Sequence, residues 1–121
     1  MDDTEPHRKK FERELSAGTV SLVLLAVLAR SHEPMYGYQI AKRLEQTGDG
    51  VLIGKQSALY PVLRNLCAAG LLDSEVEPSV AGPPRRYYRI TALGRSALRD
   101  WNAAWSATRD FVDSVLKGTP P

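Results

Sequence analysis

Three arginines fall within five residues, Arg85, Arg86 and Arg89, with Tyr87 and Tyr88 between them. Guanidinium groups interleaved with phenols suit a polyanion, because arginine offers phosphate oxygens a rigid fork of donors and tyrosine adds a hydroxyl. A second set of donors lies upstream, where Lys55, Gln56 and Ser57 lead into Tyr60 and Arg64. Such side chains reach phosphates and base edges in a groove of duplex DNA. Both sets also have plainer readings. Polar outer faces are the rule for surface helices, and charge on an edge strand with proline beside its turn prevents strand-to-strand association.

Other chemistry finds no residues to carry it. There is no phosphate loop, no glycine-rich fingerprint and no Ser or Cys nucleophile with a recognisable base, while Asp73, Glu75 and Glu77 alternate along one segment rather than facing one another. The single cysteine, Cys67, excludes an intrachain disulfide, and with only His7 and His32 it cannot supply the four ligands of a structural zinc site. No catalytic residue, metal site or cofactor is therefore expected. Cys67 follows Leu63 by four residues and reads as a small core hydrophobe, with a redox-sensing thiol as the alternative.

The bulk composition sets the remaining bounds. A chain of 121 residues, 43% hydrophobic and 25% charged, supports one folded domain. A net charge of +2 is too small to argue for nucleic acid by itself, so the placement of the basic residues must carry that reading. The apolar run at residues 20–29 is about half of the roughly 20 residues a membrane span needs. Acidic residues before it, Glu5, Glu12 and Glu14 among them, are wrong for the positive start of a signal peptide. A cytoplasmic protein with no membrane partner is expected.

Periodicity supplies the elements that would hold these side chains. Residues 1–14 read as a polar N-terminal arm or helix. From about Ser16 to Arg30 the continuous apolar character reads as a helix buried on most sides, stopped by Ser-His-Glu-Pro. A second helix has Tyr36, Ile40 and Leu44 on one face and closes at Gly48, and the triplet Val51-Leu52-Ile53 between glycines suits a very short strand. The third helix carries Leu59, Val62, Leu63 and Leu66 inward and ends at Gly70, with Ser57 as its N-cap or with a start at Lys55 or Gln56. Its outer face then presents Ser57, Pro61 and Arg64, flanked by Tyr60 and Asn65.

Residues 71–77 and 85–90 flank a turn with three prolines and a glycine, which is a β-hairpin. Alternation puts Arg85, Tyr87 and Arg89 on one side of its second strand and Arg86, Tyr88 and Ile90 on the other. Thr91 can cap a last helix running to about Lys117, on which Leu98, Trp101, Trp105, Thr108, Val112 and Val115 are spaced 3, 4, 3, 4, 3, a heptad seam suited to a homodimer. The fold class is mostly α with a small β-hairpin: a winged helix-turn-helix over residues 15–90 followed by a long dimerisation helix over 91–117.

Four segments carry a family resemblance: Tyr36-Gly37-Tyr38-Gln39-Ile40, Leu59-Tyr60-Pro61-Val62-Leu63, Gly70-Leu71-Leu72, and the run from Gly82-Pro83-Pro84-Arg85 through Thr91-Ala92-Leu93-Gly94. In order and spacing they resemble PadR-family regulators over roughly residues 17–116, and the single C-terminal helix is similar to the short-tailed subgroup that includes multidrug-sensing repressors. The resemblance implies a transcriptional repressor that binds an inverted-repeat operator in double-stranded DNA as a homodimer and is released by a small molecule or another signal. It implies DNA-contacting roles for the third helix and the wing. Where family members usually have Gly-Thr before Leu-Tyr-Pro, this chain has Ser57 and Ala58, so a threonine phosphate contact does not transfer to Ala58.

Trp105 lies where drug-sensing members carry a tryptophan that stacks on flat aromatic ligands. Leu98, Trp101, Trp105, Thr108 and Val112 are accordingly either the lining of a pocket for a small hydrophobic or aromatic effector or plain dimer packing. The alternatives to an effector-released repressor are a winged-helix module that binds proteins instead of DNA, and a metal- or redox-responsive repressor.

Overall fold

The computed structural model describes residues 3–48 and 58–118. Helix α1 spans Glu5–Arg30 without a break, so the polar first residues are the leading half of the same rod. Pro6 sits in its first turn, where a missing N–H breaks no helical bond, and Glu5 and Arg30 match the helix dipole at the two ends. Exposed pairs one turn apart, Lys10 with Glu14 at 2.8 Å and Arg8 with Glu12, sit at the spacing that favours a solvated helix. In the second half only Leu24, Leu25 and Leu28 are buried; Val20, Val23 and Val27 are half-buried. The expected burial on most sides is thus met on one side only, because Leu22, Ala26 and Ala29 line open grooves beside the last helix.

The second helix departs from the sequence reading at its start. Met35–Tyr36 forms a short strand, β1, and α2 spans Gly37–Gly48, so Tyr36 is not on the helical face with Ile40 and Leu44. Pro34 disfavours helical backbone just before it, and Met35 and Tyr36 find antiparallel partners in Tyr88 and Tyr87 far along the chain. Gln39 Oε1 accepts from the Tyr36 N–H at 3.1 Å, closing the turn into α2. Ile40, Ala41 and Leu44 are buried.

Helix α3, Leu59–Ala68, begins after Ala58, later than the expected N-cap at Ser57 or start at Lys55 or Gln56, and has no side-chain cap; Pro61 stands in its first turn, where its missing N–H breaks no helical bond, and Leu59, Leu63 and Leu66 are buried. It ends in a Schellman motif: Gly70 has φ 79°, its N–H donates to Cys67 O, and the Leu71 N–H donates to Leu66 O, both at 3.0 Å. Strands β2, Leu72–Glu77, and β3, Arg85–Ile90, form the hairpin, with β1 on the far side of β3 in the order β1-β3-β2. Helix α4, Ala92–Leu116, is capped by Thr91, whose Oγ1 accepts from the Gly94 N–H at 2.9 Å and donates to Gly70 O at 2.7 Å. One hydroxyl thereby ties the end of α3 to the start of α4. The expected strand at 51–53, together with Lys55, Gln56 and Ser57, lies outside the described residues. Among the described residues no helix is long and apolar enough to cross a membrane.

Candidate nucleic-acid interface

With Leu59, Leu63 and Leu66 turned inward, α3 exposes Pro61, Arg64 and Asn65. Tyr60 is half-buried, its ring pressed against the first residue of α2: a Cβ on Gly37 would stand 2.5 Å from Tyr60 Cε1. Glycine at 37 therefore lets α2 and α3 approach, and Tyr60 combines a packed ring with a place beside the exposed face.

The wing divides its arginines between two sides. Tyr88 is buried, and in register with Ser74, while Arg86 pairs with Val76 on the same side. Arg86 Nη1 donates to Ser74 Oγ at 2.9 Å, which steers the guanidinium along the core-facing side of the hairpin. Arg85 turns the other way and lies over the Tyr36 ring at 4.6 Å, and Arg89 reaches Glu75 at 3.8 Å. Burial pushes the Tyr88 hydroxyl above the usual tyrosine range, with Cys67 and Tyr60 acting in the same direction and the charges of Arg86 and Arg64 opposing. Cys67 is half-buried.

The seam of α4 is only partly covered. Leu98 and Trp101 are half-buried against the core, Trp105 is 37% exposed, and Thr108, Val112 and Val115 are exposed. Trp101 and Trp105 face Leu15, Gly18, Thr19 and Leu22 of α1 across an open groove of about 380 Å³, with Glu14 at its edge. Sequence reasoning missed four exposed apolar side chains near this surface: Phe11 and Leu15 on α1, and Phe111 and Leu116 on α4. The spacing of Phe11 and Leu15, one turn apart, was the available signal. No group of His, Cys, Asp and Glu among the described residues is arranged to hold a metal ion.

Helix, strand, helix, helix and a two-stranded wing, with arginines on the third helix and the wing, define a winged helix-turn-helix regulator. A family model described as the PadR-like family of transcriptional regulators matches residues 24–100, and the chain belongs to that family. It is a family of transcription factors rather than enzymes. The chain is 38% identical over 88 residues to Transcriptional regulator Rv3488 of Mycobacterium tuberculosis, covering 73% of this chain and 77% of that protein. Among solved structures, a PadR-family transcriptional regulator from Eggerthella lenta superposes with a TM-score of 0.77 at 35% identity, covering 93% of this chain and 94% of that one. A transcriptional regulator from Clostridium thermocellum gives 0.73 at 25% identity, with 84% and 93% covered.

Proposed function

We propose that the protein is a repressor that acts in the cytoplasm by binding an inverted-repeat operator as a homodimer. The observation that carries this reading is that α3 packs against the hairpin while Arg64 on α3 and Arg85 and Arg86 on β3 all stay exposed. A helix for the major groove and a hairpin beside it then present guanidinium groups together. On this reading Tyr60 and Arg64, with Lys55, Gln56 and Ser57, approach base edges and nearby phosphates, and Arg85 and Arg86 approach the backbone.

Exposed Phe11, Leu15, Trp105, Phe111, Val112 and Val115 support the homodimer, since apolar side chains gathered along two helices mark a protein interface. The seam of α4 would pair with its symmetry mate or with α1 of a second copy. The groove walled by Trp101 and Trp105 supports an effector with a flat aromatic ring, which stacks on indole faces. A ligand favouring the DNA-free geometry by about 2 kcal/mol lowers operator affinity about thirtyfold.

The test is a duplex spanning the promoter of the protein's own gene, titrated by fluorescence anisotropy. The expected affinity exceeds that for an unrelated duplex by on the order of a thousandfold or more. Planar cationic dyes or phenolic compounds should quench tryptophan fluorescence saturably and release that duplex, and Trp105→Ala should lose the quenching while keeping DNA binding. Equal affinity for both duplexes contradicts the operator reading, and quenching that leaves DNA affinity untouched reduces the indoles to interface packing.

A further inference from the structure

The end of α3 and the start of α4 meet at a joint made of backbone and a single side chain. Gly70, at φ 79°, turns the chain out of α3, and its carbonyl accepts from the Thr91 hydroxyl at 2.7 Å. The next carbonyl, that of Leu71, accepts from the Thr91 N–H at 3.2 Å. The same hydroxyl accepts from the Gly94 N–H at 2.9 Å, so it caps α4 and holds the end of α3 at once. Gly94 itself lies so close that a Cβ on it would stand 2.1 Å from the Leu71 oxygen.

This joint fixes α4 to the rest of the domain. Gly94 is the buried residue of the helix, Ala97, Leu98 and Trp101 are half-buried, and every residue from Ala107 to Leu116 is exposed. Arg95, next to Gly94, adds a bond from Nη1 to Ala29 O at 3.5 Å near the end of α1. Farther along, α4 runs beside the open grooves it shares with α1.

Small changes at the joint have large consequences at the other end of α3. The helix has 10 residues and so reaches about 15 Å from the joint. A slack of about 10° there carries its first turn by about 2.6 Å. In a twofold dimer both copies move, so the distance between the two reading helices changes by as much as about 5 Å, more than the base-pair step of about 3.4 Å.

We propose that Thr91 is a positioning residue for operator recognition: by tying Gly70 O to the first turn of α4, its hydroxyl sets the half-site spacing that the dimer accepts. The inference rests on the reading above of a homodimer on an inverted repeat, in which α4 carries the seam and α3 the base contacts. Thr91 stands at the far end of α3 from the turn that meets base edges, so it acts through the helix and not on DNA. A rigid joint presents the two helices already spaced, and a loose one lets each half adapt to the wrong spacing. The two bonds of the hydroxyl are separable by chemistry. A carboxylate accepts from Gly94 N–H as well as a hydroxyl does but has no proton to give Gly70 O, whereas serine does both.

The experiment uses the full chain with the promoter duplex, the same duplex with a base pair inserted at the centre of the wild-type footprint, and a random-sequence duplex, each titrated by anisotropy. Wild type should prefer the native spacing by about tenfold or more, since a displaced half-site loses base contacts worth about five- to 150-fold each. Thr91→Asp is expected to bind the two promoter duplexes within about threefold of each other, while sedimenting as the same dimer and binding the random duplex as wild type does. Thr91→Ser should restore the preference. A folded Thr91→Asp dimer that keeps the wild-type preference overturns the proposal and leaves Thr91 a helix cap, as does a Thr91→Ser variant that loses it or a Thr91→Asp variant that loses the dimer. Thr91→Val, which gives up both bonds, takes the place of the aspartate variant if circular dichroism shows that chain unfolded; if neither folds, Thr91 serves folding alone and the proposal fails. A wild type that prefers the promoter duplex but is indifferent to the insertion overturns the proposal and spares DNA binding. A wild type that binds promoter and random duplexes alike overturns the operator reading itself, so the two failures are told apart before any variant is compared.

Discussion

Gly94→Ala is expected to destabilise the fold by about 3 kcal/mol, at the upper end of what overpacking a core brings. A Cβ at this buried position in the first turn of α4 would stand 2.1 Å from Leu71 O and 2.7 Å from Ile90 Cγ1. The oxygen is backbone and already accepts from the Thr91 N–H at 3.2 Å, so it cannot swing aside. The junction where α3, β2, β3 and α4 meet would have to open. Urea unfolding should show the midpoint falling with little change in slope, and thermal unfolding should shift down by more than roughly 10 °C. Gly18→Ala is the matched control: nothing lies within 4 Å of the added carbon there, so the gain in helix propensity should leave stability equal or up to about 1 kcal/mol higher. A wild-type midpoint for Gly94→Ala would contradict the close approach of α4 to Leu71.

Removing the residues after Asp100 is expected to yield a monomer or an unfolded chain. The deletion takes away Trp101, which packs against the core, and the exposed apolar side chains from Trp105 to Leu116. Loss of folding alone would be ambiguous, so Val112→Asp in the full chain is the sharper variant. Val112 is exposed in the single chain, and a carboxylate there is harmless to the monomer but becomes a buried unpaired charge if the seam pairs. Sedimentation should show the dimer dissociation constant raised about a hundredfold or more, equivalent to about 3 kcal/mol. A truncated chain or a Val112→Asp variant that still sediments as a tight dimer would put the interface elsewhere.

Much of the scaffold was legible because it follows local rules. The i, i+3, i+4, i+7 pattern of Leu59, Val62, Leu63 and Leu66 located α3, Gly70 marked its end, and Thr91 marked the start of α4, each by a conformational or capping preference of that residue. Strand alternation alone separated Arg85 from Arg86, and the structure keeps them on opposite sides. What escaped depends on partners distant in the chain. β1 has two residues and no period of its own; it exists because Tyr87 and Tyr88 pair with it. Without β1 there is no Tyr36 ring beneath Arg85.

The packing of Tyr60 on Gly37 is likewise a contact between elements, so spacing along α3 placed the tyrosine at the flank of the helix without showing that its ring is engaged. Phe11 and Leu15 were hidden for a different reason. They lie in a stretch dense with charge, where ion pairs such as Arg8 with Glu12 stabilise a helix that packing alone would not require. The seam on α4 was read from its heptad spacing, but Phe111 and Leu116 lie off that spacing and broaden the exposed apolar face beyond it.

The reading that α3 enters the major groove is tested most directly by Arg64→Ala, compared with Arg86→Ala on the promoter duplex and on an unrelated duplex. Removing a base contact at Arg64 should weaken promoter binding by about 1–3 kcal/mol, roughly five- to 150-fold, while affinity for the unrelated duplex changes little. Removing a phosphate contact at Arg86 should instead weaken both duplexes alike and flatten the salt dependence. Arg64→Ala that is folded by circular dichroism and binds the promoter duplex as tightly as wild type would contradict the placement of α3 in the groove.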